Sequence, residues 1–195
     1  TTEIYTLSLH DALPILAEIL ETAGLPPGVL NIVTGRGEDV GGEMVRHPAI
    51  RRISFTGDTD TGRVIRGLAS DHLKELSLEL GGSDPMVVWK DADIERAVAG
   101  AVRGRFYNAG QTCTAVKRLY VHQEIAGEFT ERLAEVVDGL RVGNGLFQGV
   151  DMGPLCGALP KERIVQIMDE VHSGCQGDTL SGGSYLSGPQ YDRGS

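Results

Sequence analysis

The feature that most limits how this chain folds is a strand–helix–strand succession with short connections. Arg51 to Phe55 reads as a strand, Thr59 to Ala69 as a helix and Glu75 to Leu80 as a further strand. Strands that alternate with helices of this length predict a parallel sheet of doubly wound type, an α/β fold. The alternation extends in both directions. Val29 to Val33 is a short apolar strand and Asp39 to Arg46 a helix. Pro85 to Trp89 is a strand, and Asp93 to Phe106 a helix with Ile94, Ala97, Val98 and Ala101 along one face. Lys117 to His122 follows as a strand, then Glu124 to Gly139 and Lys161 to His172 as helices. Near the start, Leu16 to Ala23 reads as the end of a helix, with Gly24 at its C-cap and Pro26-Pro27 forbidding continuation. The tail from Gly174 to Ser195 carries no strong pattern.

With 195 residues the chain has room for one ordinary domain or parts of two. Its formal net charge of -9 argues against a nucleic-acid partner, which needs a basic face for phosphates. No apolar run approaches the roughly 20 residues needed to span a bilayer, and the N-terminus lacks the pattern of a secretory signal. The three cysteines, Cys113, Cys156 and Cys175, form no Cys-x-x-Cys pair. A reducing, cytoplasmic setting is the simplest reading. The five histidines are scattered without ligand spacing, so no metal site is expected.

Two residues carry the chemistry. Glu79 stands in Leu78-Glu79-Leu80-Gly81-Gly82, and Cys113 ends the run Phe106-Tyr107-Asn108-Ala109-Gly110-Gln111-Thr112-Cys113. A cysteine is a covalent nucleophile as its thiolate, and a carboxylate activates the water that later breaks the covalent bond. Singly, each is weak evidence: a lone cysteine is more often a small buried hydrophobe, and a glutamate ending a strand is usually just solvated. A third motif, Gly57-Asp58-Thr59-Asp60-Thr61-Gly62, follows a strand and opens a helix. A glycine there lets the backbone approach a ligand closely, and a helix N-terminus favours pyrophosphate. A plain N-cap explains the same residues about as well.

Taken together, Phe55 to Gly62, Glu79-Leu80-Gly81-Gly82 and Gly110-Gln111-Thr112-Cys113 resemble the aldehyde dehydrogenase superfamily in order and spacing. Pro26-Pro27-Gly28-Val29-Leu30-Asn31, Asp91-Ala92-Asp93 and Met152-Gly153-Pro154-Leu155 extend the likeness from about Leu16 to the end. Gly81-Gly82-Ser83-Asp84-Pro85 and Ala115-Val116-Lys117-Arg118 look most like the succinate-semialdehyde dehydrogenase branch. The resemblance implies an aldehyde dehydrogenase-like fold, with residues 16–80 the C-terminal part of a Rossmann-type nucleotide-binding domain. Residues 81–195 would be the N-terminal part of an α/β catalytic domain. Family members are well over twice this length, which implies an internal fragment. Thr1 to Ile15 does not fit the regular pattern that begins at Leu16 and resembles a translated sequencing adaptor, so it is set aside.

The resemblance also implies the chemistry: oxidation of a small-molecule aldehyde to a carboxylic acid with NAD or NADP. Cys113 would form a thiohemiacetal and then a thioester, hydrolysed by water that Glu79 deprotonates, best if partial burial raises the Glu79 pKa. Gly57, Asp58, Thr59 and Gly62 would form the dinucleotide loop, with Gly37 near the adenosine side and the Leu80 carbonyl at the nicotinamide. The oxyanion-binding asparagine belongs to an upstream segment, and Asn108 is expected to stabilise its own turn. The full-length protein would be a homodimer or homotetramer with no nucleic-acid or membrane partner. Asp58 departs from the family's usual serine: either it points away and caps the helix, or the pyrophosphate contact is remodelled. Ser83 departs too, and touches no chemical step. The alternative is a non-catalytic structural or binding protein of the same fold, which suits the chain taken alone.

Overall fold

A computed structural model of the chain describes residues 13–174, 177–188 and 191. Most of the segment set aside as foreign, Thr1 to Ala12, lies outside the described residues, as does Cys175. The chain divides between Gly81 and Gly82 into two compact units.

The first unit opens with helix α1, residues 13–22. Gly24 ends it with φ of +89°, and its N–H and that of Leu25 donate back to the carbonyls of Glu21 and Leu20, both at 2.9 Å. That crossed pair is the Schellman arrangement, and it is why glycine occupies the position. Val29 to Val33, expected as a strand, is turn and irregular chain instead. Val29 and Val33 are 65% and 66% exposed. A strand exists only where a neighbour takes its backbone hydrogen bonds, and among the described residues none pairs with this segment. The expected helix from Asp39 to Arg46 is composite: a π turn over Gly37–Gly41 runs into helix α2, Gly42–Arg46.

Strand β1, Arg52–Gly57, helix α3, Thr59–Ala69, and strand β2, Glu75–Leu80, follow. The strands pair in parallel, from Arg52 opposite Glu75 to Gly57 opposite Leu80. Val45 of α2 and Ile65 and Ala69 of α3 form the buried core, against Ile53, Phe55, Leu76 and Leu78 of the strands. Apolar residues at every second strand position thus meet a helical stripe, the packing that fixes register. Lys74 is buried with them. Its Nζ donates to the carbonyls of His47 and Ile50, both at 2.5 Å, so the buried cation is satisfied and fastens the chain before β1 to the chain before β2.

The second unit repeats the plan. Strand β3, Asp84–Val88, leads to helix α4, Ile94–Phe106, and strand β4, Val116–Val121, leads to helix α5, Ala126–Asp138. β3 and β4 are parallel, with an irregularity between Asp84 and Pro85. Asp93 caps α4 by accepting the Arg96 N–H at 3.0 Å. Val88, Val98, Ala101 and Phe129 are the fully buried core, flanked by Ile94 and Ala97. Full burial of a side chain such as Phe129 contributes about 2–3 kcal/mol. Helix α6, Ala158–Gly174, buries no residue.

Candidate functional site

The first unit gathers three of the expected ligand residues at the carboxyl ends of its strands. Gly57 and Leu80 are partners in the last rung of the ladder. Gly62, in the first turn of α3, is buried, and a Cβ there would meet Leu80 Cδ2 at 2.7 Å. A Cβ at Gly57 would meet the tip of the Phe55 ring at 2.4 Å. Both glycines therefore let backbone approach side chain more closely than any other residue allows. In open parallel sheets, the carboxyl ends of the strands are where ligands bind.

Asp58, between them, is the N-cap of α3. Its Oδ1 accepts the Thr61 N–H at 2.8 Å and its Oδ2 the Thr61 hydroxyl at 2.7 Å. The Thr61 hydroxyl, then the Thr61 N–H, hold the carboxyl below the usual aspartate range. Of the two expectations for Asp58, the capping one describes its geometry. Thr59, the first residue of α3, is exposed. Gly37 stands on a different element, the π turn whose Asp39 and Val40 line an open groove with Val33, Met44 and Ile50.

Glu79 lies on β2 beside Leu78 and Leu80 and is exposed. Leu76 and Leu78 pack toward α3, and alternation along the strand turns Glu79 to the opposite face. The partial burial expected of a tuned base is not met within this chain.

In the second unit Cys113 sits in the turn between α4 and β4, exposed and with its thiol free. Two short hydrogen-bonded systems shape the approach to it. Asn108 and Ala109 are both left-handed, with φ of 52° and 55°, and Gly110 follows at +74°. Non-glycine residues in this region cost roughly 1–2 kcal/mol each, so the conformation needs outside support. Arg105, in the last turn of α4, supplies some: its guanidinium donates to the Gly110 carbonyl at 3.0 Å and the Val116 carbonyl at 3.2 Å. A Cβ at Gly110 would fall 1.9 Å from the Arg105 Nη2. Asn108 and Gln111 add the rest, each side-chain amide donating to the other's carbonyl at 3.3 and 2.9 Å. The turn-stabilising role expected of Asn108 is the one it plays. Gln111 also reaches outward, its Oε1 accepting the Cys156 N–H at 2.8 Å.

On the far side of the turn, Gly82 and Ser83 are held by Lys117 and Arg118 of β4. Lys117 donates to the Gly82 carbonyl, and Arg118 donates to the Ser83 carbonyl through Nε at 3.2 Å and Nη2 at 2.6 Å. A Cβ at Gly82 would stand 3.3 Å from the carbonyl oxygen of Cys113. Gly82 and the cysteine turn thus meet within this unit. Ser83 takes part in these bonds through its carbonyl.

Sequence reasoning treated Gln111, Lys117 and Arg118 only as members of motifs and passed over Arg105. The available signal was a run of polar and glycine residues with no apolar anchor, which demands side chains to hold its backbone. Cys156 is exposed and takes part through its N–H. Among the described residues no cluster of His, Cys, Asp and Glu has the shape of a metal site, and no helix is long and apolar enough to cross a membrane.

A profile of the aldehyde dehydrogenase family matches residues 12–194. Phenylacetaldehyde dehydrogenase of Pseudomonas fluorescens is 44% identical over 87% of this chain and 34% of that protein. The NADP-dependent succinate-semialdehyde dehydrogenase of Escherichia coli strain K12 is 46% identical over 72% of this chain and 29% of its own length. PnpE of Pseudomonas sp. WBC-3, in its structure with nicotinamide adenine dinucleotide, superposes with a TM-score of 0.87 at 36% identity, over 93% of this chain and 37% of that one. The chain therefore spans about a third of the length of these relatives.

Proposed function

This chain belongs to the aldehyde dehydrogenase family, and from that premise we propose that the full-length protein carrying it oxidises an aldehyde to a carboxylic acid with NAD or NADP. The observation that carries the reading is Cys113, a free, exposed thiol three residues beyond a left-handed turn that Arg105 and Gln111 brace. Bracing of that kind suits a nucleophile that must be presented to a substrate.

Cys113 acts as its thiolate, forming a carbon–sulfur bond to the aldehyde carbonyl and moving the carbonyl electron pair onto oxygen. A backbone N–H beside the sulfur steadies that charge. Return of the oxygen's electron pair to the carbon would re-form the carbonyl and release a hydride, for which a bound nicotinamide cofactor would supply the acceptor, leaving a thioester on Cys113. Glu79 accepts a proton from water, whose oxygen attacks the Cys113 thioester; the carbon–sulfur bond breaks, and thiol and carboxylic acid are released. Its solvent-facing position on β2 leaves it open to water.

The carboxyl ends of β1 and β2 are where a dinucleotide would sit in an open parallel sheet. Gly57, Thr59, Gly62 and the Leu80 carbonyl would line it, with Gly37 toward the adenosine side. Asp58 would bound the same loop, its charge drawn onto Thr61. The substrate branch we favour is a semialdehyde, supported by the likeness at Gly81 to Pro85 and Ala115 to Arg118.

Cys113→Ser in the full-length protein is the test. Aldehyde-dependent reduction of the cofactor should vanish while cofactor affinity stays within about twofold, because a neutral hydroxyl is a far weaker nucleophile at pH 7. Retained turnover in the serine variant would remove the reading.

A further inference from the structure

We propose that Gln111 is a positioning residue for Cys113, acting through the backbone N–H of Cys156; this rests on the oxidation reading above. Gln111 uses both ends of its amide. Nε2 donates back to the Asn108 carbonyl at 2.9 Å, while Oε1 accepts the Cys156 N–H at 2.8 Å. The first bond closes the left-handed turn on itself. The second ties that turn to a segment 45 positions further along the chain, so a single side chain joins two loops that share no strand or helix.

The geometry shows why such a tie matters. Cys113 follows Gln111 by two residues, in a stretch with neither helical nor ladder hydrogen bonds until Val116 begins β4. Arg105 grips the turn at Gly110 and again at Val116. The Cys113 carbonyl lies against Gly82. Between those holds, the backbone direction at Thr112 and Cys113 is set by where Gln111 is anchored. Releasing the Cys156 link leaves the turn anchored only from its own side, at Asn108 and through Arg105, without unfolding α4 or β4, whose packing around Val98 and Phe129 is separate. A misdirected sulfur loses rate because productive attack needs the reacting atoms aligned at about 3–3.5 Å.

Rapid-quench kinetics on the full-length protein tests this, with a saturating aldehyde that gives a wild-type burst. Gln111→Met keeps the volume and loses both hydrogen bonds. Its burst rate, read as acyl mass accumulating on Cys113, is expected to fall about 10- to 100-fold, while single-turnover acylation still reaches every site and the aldehyde concentration that gives the half-maximal burst rate stays within about twofold. Gln111→Glu keeps the acceptor toward Cys156 and loses the donor toward Asn108, and should fall between wild type and Gln111→Met. A merely structural role reads differently: the amplitude drops with the melting temperature while the rate of the surviving sites is unchanged, and that outcome overturns the proposal. So does a Gln111→Glu variant no faster than Gln111→Met. Wild-type protein that forms no Cys113 adduct with any aldehyde fails at an earlier step and overturns the oxidation reading together with this role of Gln111.

Discussion

Two glycines of α3 offer a controlled measurement of how tightly the strand ends are packed. Gly62 and Gly67 lie in the same helix, so replacing either with alanine brings the same gain in helix propensity, roughly 1 kcal/mol. Their surroundings differ. A Cβ at Gly67 meets nothing within 4 Å, whereas one at Gly62 meets Leu80 Cδ2 at 2.7 Å and Cδ1 at 3.1 Å. Overpacking of this kind costs about 1–3 kcal/mol, toward the lower end where the obstacle is the tip of a side chain. Gly67→Ala should therefore stabilise by about 1 kcal/mol, and Gly62→Ala should come out between neutral and about 2 kcal/mol destabilising. Native-state hydrogen exchange at the amides of α3 measures this locally, without requiring two-state melting of a larger protein. In a Leu80→Ala background the cost of Gly62→Ala should largely disappear, a coupling that only residues in contact show. If Gly62→Ala stabilises α3 as much as Gly67→Ala does, the close approach between α3 and the end of β2 is not there.

The other expectations draw on separate parts of the molecule. An electrophile such as iodoacetamide should label Cys113 ahead of Cys156 although both are exposed; equal labelling in peptide maps would remove the case for an activated thiol. Glu79→Gln should leave the burst of reduced cofactor intact and lower the steady rate on the order of a hundredfold, the scale of general-base catalysis; an unchanged steady rate sinks the assignment. Asp58 titrates below its ordinary value of 3.8 because Thr61 donates to it. Its contribution to stability is present above that value and is lost as pH falls through the lower folded one. Thr61→Val should move the Asp58 carboxyl titration, followed by NMR, back upward. Phe129→Ala should cost about 3–5 kcal/mol by opening a cavity among Val88, Val98 and Ala101, read as a lowered unfolding midpoint.

Much of the fold was legible because its signals are local. Thr59 to Ala69 and Glu75 to Leu80 have the boundaries expected of them, since Asp58 caps one and alternating leucines mark the other. Asp93 did the same for α4. Val29 to Val33 was misread because β propensity says nothing about whether a partner strand is at hand. The π turn at Gly37–Gly41 was invisible for a related reason: its hydrogen-bond spacing differs from that of an α-helix by a single residue, which apolar periodicity does not resolve.

The site divides along the same line. Glu79 and Cys113 were marked by glycine-rich neighbours, but the side chains that hold them are scattered: Arg105 before the turn, Lys117 and Arg118 after it, and the Cys156 N–H far along the chain. Each of these supports acts on a backbone carbonyl or N–H, a contact that leaves no pattern in sequence because any residue supplies the same partner atom. The donors themselves are less free. Lysine at position 105 would offer one point charge where guanidinium now spans two carbonyls, and asparagine at position 111 is too short to reach both Asn108 and Cys156. The chemistry of a cysteine is thus written in one letter. Its aim depends on long polar side chains whose identity is fixed by reach and fork geometry, and those are the positions where conservative substitutions should be the least conservative in effect.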